Sequence, residues 1–162
     1  MEENLIKQRC CFTGHRPDKL GYTEEEIKPL LEKAIDSAIE GGYVTFISGM
    51  AKGTDIWAAE IVLEKKKENK SLHLVCAIPH PGFINGRSAQ ERRRYENIIN
   101  SADKCVLVSD RCLPGCYQKR NIWMVDRSSE VIAVFNGTKG GTANTINYAK
   151  RHGVKIVNVL ER

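Results

Sequence analysis

Apolar positions along the chain fall into two alternating rhythms. Short runs of strand length occupy residues 9–13, 44–48, 72–77, 104–108, 131–135 and 155–159. The runs Val44-Thr45-Phe46-Ile47-Ser48 and Val131-Ile132-Ala133-Val134-Phe135 carry few polar residues, the pattern of strands covered on both faces. Between the first two runs, Ile27, Leu30, Leu31, Ala34, Ile35, Ala38 and Ile39 repeat at helical spacing, and Gly41-Gly42 ends the repeat. Thr23 and Glu26 have the spacing of a capping box, with Pro29 left inside the helix to kink it or delay its start. Further helices are predicted over 54–68, 88–100, 117–127 and 142–151, the last stopped by Gly153.

Strict alternation of such strands and helices implies a parallel sheet with helices on both faces. The expected fold is therefore α/β: a single Rossmann-like three-layer α/β/α sandwich over residues 1–162, with a mostly parallel sheet of about six strands. An apolar fraction of 41% with 28% charged residues fits a globular domain, and no apolar stretch is long enough for a bilayer. The acidic start, Met1-Glu2-Glu3-Asn4, runs almost directly into the first strand, which predicts no signal peptide and a cytoplasmic location.

Charge and cysteines change this picture little. The net charge of +5 is concentrated in Lys65-Lys66-Lys67 and Arg92-Arg93-Arg94, runs that usually mark solvated helix faces and that also attract phosphates. Cys10 and Cys11 are adjacent, and Cys76 and Cys105 lie in apolar runs, so reduced thiols acting as small hydrophobes are expected. Cys112 and Cys116 alone have a spacing worth testing as a metal or redox pair. No second Cys/His pair lies near them in sequence to complete a zinc site, so no metal is expected.

In open parallel sheets, ligands bind beyond the carboxyl ends of the strands. The strand exits here read Gly14-His15-Arg16-Pro17, Ser48-Gly49-Met50-Ala51-Lys52-Gly53-Thr54-Asp55, Pro79-His80-Pro81-Gly82, and Asn136-Gly137-Thr138-Lys139-Gly140-Gly141-Thr142. Glycines admit a ligand close to the backbone, helix N-termini offer free N–H groups to an anion, and Arg16, Lys52 and Lys139 add charge. The plainer alternative is that the glycines make turns while Thr54 and Thr142 cap helices. Two glycine-rich loops at equivalent strand ends favour a phosphate-bearing ligand. Neither loop fits GxGxxG or GxxxxGK[ST], so no standard dinucleotide or nucleotide cofactor is expected.

Phe12-Thr13-Gly14-His15-Arg16-Pro17, the stretch from Ile47 to Glu60 (ISGMAKGTDIWAAE) and Gly140-Gly141-Thr142 together resemble the YpsA-like branch of the SLOG superfamily. The superfamily joins DNA-processing protein A with the "lonely guy" phosphoribohydrolases, and the resemblance implies a Rossmann-like fold and a nucleotide-related ligand. The enzyme relatives carry R-K-x-x-M and P-G-G-x-G-T-x-x-E, whose arginine and final glutamate are the catalytic pair. Arg120-Asn121-Ile122-Trp123-Met124 is similar to the first element and Gly141-Thr142-Ala143-Asn144-Thr145 to the end of the second, so Arg120 is kept while Thr145 replaces the glutamate. A threonine cannot serve as a carboxylate acid or base. Asp55 and Glu60 are the candidate acids to substitute, Asp55 reading equally well as a helix-dipole partner and Glu60 as a lysine partner; Glu91 and Glu96 read as surface partners of the arginine run.

His15, flanked by glycine and arginine, is a ligand candidate; His80 is a weaker one, and His73 and His152 read as incidental. Trp57 and Trp123 fit core positions better than base-stacking ones. The expected ligand site is Gly14, His15, Arg16, Ser48, Gly49, Gly53, Thr54, Asp55, Arg120, Gly137, Gly140, Gly141 and Thr142, with catalytic residues unassigned. Three functions are compatible with it: binding or sensing of a nucleotide or ADP-ribose-like metabolite, nucleotide N-glycosidase chemistry using Asp55 or Glu60, and single-stranded DNA binding. The first is preferred, because the acid is missing and aromatics make up only 7% of the chain. A nucleotide-derived small molecule is thus the expected partner, nucleic acid is not favoured, and pairing through helices into a homodimer is common among relatives.

Overall fold

The computed structural model describes residues 2–161. Each apolar run forms a strand: β1 (Arg9–Gly14), β2 (Thr45–Ser48), β3 (His73–Ile78), β4 (Lys104–Leu107), β5 (Glu130–Val134) and β6 (Lys155–Asn158). They make one sheet in the order β4-β3-β2-β1-β5-β6, with every neighbouring pair parallel. The expected helices appear as α3 (Glu24–Glu40), α4 (Thr54–Lys66), α5 (Ala89–Ser101), α6 (Cys116–Asp126) and α7 (Gly141–Arg151). Two short helices, α1 (Glu2–Ile6) and α2 (Pro17–Leu20), are added; at five and four residues they are too brief to leave a periodic signal.

The chain moves from β1 through β4 in one direction across the sheet, then jumps back past β1 to β5 and β6. Right-handed crossovers require the helices of these two halves to lie on opposite faces. Accordingly Cys10, Phe12, Phe46, Leu74 and Cys76 face Ile27, Leu31 and Ile35 of α3 and the apolar side of α4. Cys11, Ile47, Ala77 and Val131 face Met124, Val125 and Ala149 of α6 and α7. The Phe12 and Phe46 rings stack 6.0 Å apart at the centre of the first layer. Truncating either to alanine is expected to cost roughly 3–5 kcal/mol through lost burial and the cavity left behind.

Local signals explain the boundaries. The capping box is complete, with Glu26 N–H donating to Thr23 Oγ1 at 3.2 Å and Thr23 N–H donating to Glu26 Oε1 at 3.1 Å. Pro29 therefore neither delays nor prevents the helix; it lies inside α3 at an exposed position. β5 starts one residue earlier than expected, because buried Glu130 sits beside Lys155 of β6 in register and pairs with it at 3.3 Å. All six cysteines are free thiols; Cys105 departs from the expectation by being exposed, since β4 is a sheet edge. Trp57 is in the core, and Trp123 packs on the second layer under the Arg127 guanidinium, 4.1 Å away. Among the described residues no helix is long and apolar enough to cross a membrane.

The reversal of strand order at β1 leaves a crevice beyond the ends of β1 and β5, the position where such sheets hold ligands.

Candidate functional site

The loops leaving β1, β2, β3 and β5 enclose a cavity of about 910 Å³ at this edge. Of the expected residues, Gly14, His15, Arg16, Asp55, Arg120, Gly141 and Thr142 line it, joined by Lys19, Lys52, Asn85 and Arg87. Ser48, Gly49, Gly53 and Thr54 are absent from the wall and act from behind it, while Gly137 and Gly140 belong to the turn before α7.

The exit from β2 is held by small residues in tight places. A Cβ at Gly14 would stand 2.1 Å from Thr54 Oγ1, so only glycine lets the first turn of α4 approach the end of β1. Met50 is fully buried with φ of 61°, a left-handed conformation rare for a long side chain. Ser48 Oγ fixes this turn by donating to the Asp55 carbonyl at 2.9 Å and accepting from Met50 N–H at 3.1 Å. The result places Asp55 in the cavity wall, its Oδ2 accepting from Ala51 N–H at 3.2 Å. Burial pushes its carboxyl up to about 6, against the pull of Arg120, the Ala51 amide and Arg87.

Arg120 projects from α6 and is only 4% exposed. Its Nη1 donates to the Gly49 carbonyl and its Nε to Asn121 Oδ1 at 2.8 Å, with the guanidinium 5.6 Å from the Phe83 ring centre. Arg87 enters from the β3 exit loop, donating to the Met50 carbonyl at 3.0 Å and lying 4.6 Å over Phe83. Sequence reasoning missed Arg87 and Asn85; the signal was that Phe83-Ile84-Asn85-Gly86-Arg87 continues the same strand-exit loop as Pro79-His80-Pro81-Gly82.

His15 is 4% exposed, stacks 5.4 Å from the Phe135 ring, and has a buried Nε2 with no partner. Burial, and after it Lys19, lower its pKa, which disfavours the protonated imidazole. Lys19 also donates to the Lys139 carbonyl and Asn136 Nδ2 to the Lys19 carbonyl at 3.0 Å, tying the β5–α7 loop to α2. Asn144 N–H is bonded to the Gly140 carbonyl, so the amides of Gly141 to Ala143 precede the first α-helical bond of α7.

Other candidates are engaged elsewhere. Thr145 is 1% exposed and donates to the Gly141 carbonyl at 2.8 Å, outside the cavity wall. Glu60 accepts from Arg94 Nε at 3.0 Å and pairs with Lys28 at 3.5 Å, so it supplies no acid to the cavity. Glu91 pairs with Lys52 at the rim, 3.3 Å away. Lys65, Lys66 and Lys67 pair with Asp36, Asp103 and Glu64, and Arg94 with Glu24, which partly neutralises both basic runs. His80 is buried and its Nε2 lies 3.2 Å from the Tyr117 hydroxyl, beside Cys112 and Cys116. The fold thus brings a histidine to the cysteine pair that had none near it in sequence.

A parallel sheet with a reversed strand order and glycine loops gathered at its switch point defines a Rossmann-like α/β protein. Residues 10–158 match the YspA SLOG family, and the chain belongs to it. It is 33% identical over 118 residues to the uncharacterized SPbeta prophage-derived protein YoqJ of Bacillus subtilis, covering 65% of this chain and 69% of that protein. It is 27% identical over 154 residues to a UPF0398 protein of Bacillus thuringiensis, covering 90% and 84%. Among solved structures, DNA processing protein A from Streptococcus pneumoniae superposes with a TM-score of 0.66 at 17% identity over 94% of this chain. Its counterpart from Helicobacter pylori, described for its single-stranded DNA binding mode, gives 0.63 at 18% identity over 96%. The chain spans 50% and 66% of those two proteins, and the likeness is one of fold.

Proposed function

We propose that this chain is a cytoplasmic binding module for a nucleotide or ADP-ribose-like metabolite whose phosphate rests against the start of α7. One observation carries the reading: Arg16, Arg87 and Arg120 share a single cavity wall with Gly141 and Thr142. Guanidinium groups and free helix N-terminal amides are complementary to phosphate oxygens. The unpartnered Nε2 of His15 offers a further hydrogen bond to the ligand. Calorimetric titration with AMP, ADP-ribose and NAD tests this, together with amide shifts in labelled protein. Binding with shifts in the Gly14–Arg16 and Gly140–Thr142 loops supports it; shifts confined to the opposite sheet edge would refute it.

A second reading, N-glycosidic hydrolysis, is favoured by Asp55, a buried carboxyl in that wall with its pKa raised to about 6. It requires release of adenine from AMP that disappears in Asp55→Asn. DNA binding draws support from the shared fold alone, and the ion-paired basic runs favour only weak, salt-sensitive contacts.

A further inference from the structure

The nucleotide reading makes no use of a cluster where the β3 exit loop meets the start of α6. One ring nitrogen of His80 and the sulfurs of Cys112 and Cys116 all lie within 4.8 Å of one another. His80 and Cys116 are buried, at 7% and 3% exposed, while Cys112 closes the group from the solvent side. We propose that these three residues form a binding site for a thiophilic metal ion, zinc(II) by their ligand chemistry, that joins the β3 exit loop to α6.

Two thiolates and an imidazole are the donor set of a borderline-soft d¹⁰ ion and a poor one for magnesium or calcium, which take oxygen ligands. Zn–S bonds of about 2.3 Å and Zn–N bonds of about 2.0–2.1 Å in a tetrahedron set the ligand atoms roughly 3.5–3.8 Å apart. Ligand atoms within 4.8 Å therefore need a contraction of roughly 1.3 Å at most. The local chain permits it. Gly115 has φ of 79°, and Cys116 N–H donates to the Leu113 carbonyl at 3.1 Å, so the Cys-Leu-Pro-Gly-Cys turn folds its two cysteines toward each other. Cys112 lies in an exposed stretch and can shift without repacking the core.

Binding is balanced in charge and protons: the two thiols lose two protons, and two thiolates neutralise the divalent ion, so no net charge is left in a half-buried site. Three protein ligands leave the fourth tetrahedral position to water or another small donor. The His80 ring meets the rings of Phe83 and Tyr117 at 6.2 and 5.7 Å, and both line the ligand cavity. A bound metal would thereby brace one wall of that cavity, whatever ligand the cavity holds.

The test uses the full chain, reduced and stripped of metal, titrated with cobalt(II) and then zinc(II). Expected are one cobalt per chain with the visible bands of tetrahedral thiolate coordination, displacement by zinc, and release of two protons per zinc in weak buffer. Cys112→Ser, at an exposed position, should keep the wild-type circular dichroism and lose more than about 100-fold in zinc affinity, beyond the range of changes outside the ligand set. Cys105→Ser, another exposed cysteine, should bind as wild type. Absence of cobalt bands in the reduced chain, including one that forms a Cys112–Cys116 disulfide in air, would overturn the proposal. So would a cobalt spectrum that survives Cys112→Ser.

Discussion

Gly49 and Arg120 are fitted to each other: a Cβ at Gly49 would stand 2.8 Å from Arg120 Cζ, and Arg120 Nη1 donates to the Gly49 carbonyl. The glycine is there because a guanidinium occupies the space a side chain would need. Gly49→Ala should displace the buried arginine and cost about 1–3 kcal/mol, the usual penalty for overpacking. Urea unfolding measures this. In a double-mutant cycle with Arg120→Lys the two losses should be far from additive, since both act on one contact; additive losses would show that the contact is not shared.

Asp55 makes stability depend on pH in a definite direction. Its carboxyl is raised from 3.8 to about 6, so the folded protein holds this proton more tightly than the unfolded chain. Below the unfolded value both states are protonated and nothing is lost; as pH rises toward about 6 the unfolded state ionises first, and above that the full penalty, about 3 kcal/mol, applies. Asp55→Asn removes the titration while keeping an oxygen for the Ala51 amide. The variant should gain about 1–3 kcal/mol over wild type at pH 8, and the gain should fade toward pH 4. An equal difference at both pH values would contradict the assignment.

The same carboxyl should couple ligand binding to protons. An anionic phosphate entering the cavity disfavours ionised Asp55, so its pKa rises on binding and protons are taken up near and above pH 6. Affinity for ADP-ribose, whose diphosphate diester does not itself titrate near that value, should therefore weaken as pH rises through it. Calorimetry in buffers of different ionisation enthalpy measures the uptake, which should vanish in Asp55→Asn.

Restoring the glutamate of the phosphoribohydrolase relatives should not restore their chemistry. Thr145 is buried and hydrogen-bonded to its own helix, outside the cavity wall. Thr145→Glu would bury an unpaired carboxylate and should destabilise the fold by more than about 3 kcal/mol. Adenine release from AMP should stay at the wild-type level; a large gain would place position 145 in the site.

Arg87 offers a test of the cavity from the loop that sequence reasoning overlooked. Arg87→Ala should weaken nucleotide binding by roughly tenfold or more, the worth of a charge-assisted hydrogen bond of about 1.5–3 kcal/mol. Arg93→Ala, on the exposed face of α5, is the control and should bind as wild type.

The chain's own pattern of apolar runs and helical repeats was enough to determine the parallel α/β sandwich, since the central strands β1, β2 and β5 are buried on both faces and each crossover must be a helix. The glycine loops were legible for the same local reason, since turns and strand ends are written in neighbouring residues, whereas Arg120 was indicated only by the resemblance of Arg120-Asn121-Ile122-Trp123-Met124 to the R-K-x-x-M motif. Which of these residues share a wall was decided by the tertiary structure. Gly49 and Arg120 are far apart along the chain, and only the packing of α6 beside the β2 exit shows that the first exists to admit the second. Glu60 looked as available as Asp55, but rotation along α4 turns one toward Arg94 and the other into the cavity. His80 could not be joined to Cys112 and Cys116 from spacing, because the sheet places the end of β3 next to the start of α6 through contacts that no local segment encodes. Periodicity records how each element is buried; the convergence of charged and metal-ligating side chains depends on the order and handedness of the strands, and that is settled only when the sheet closes.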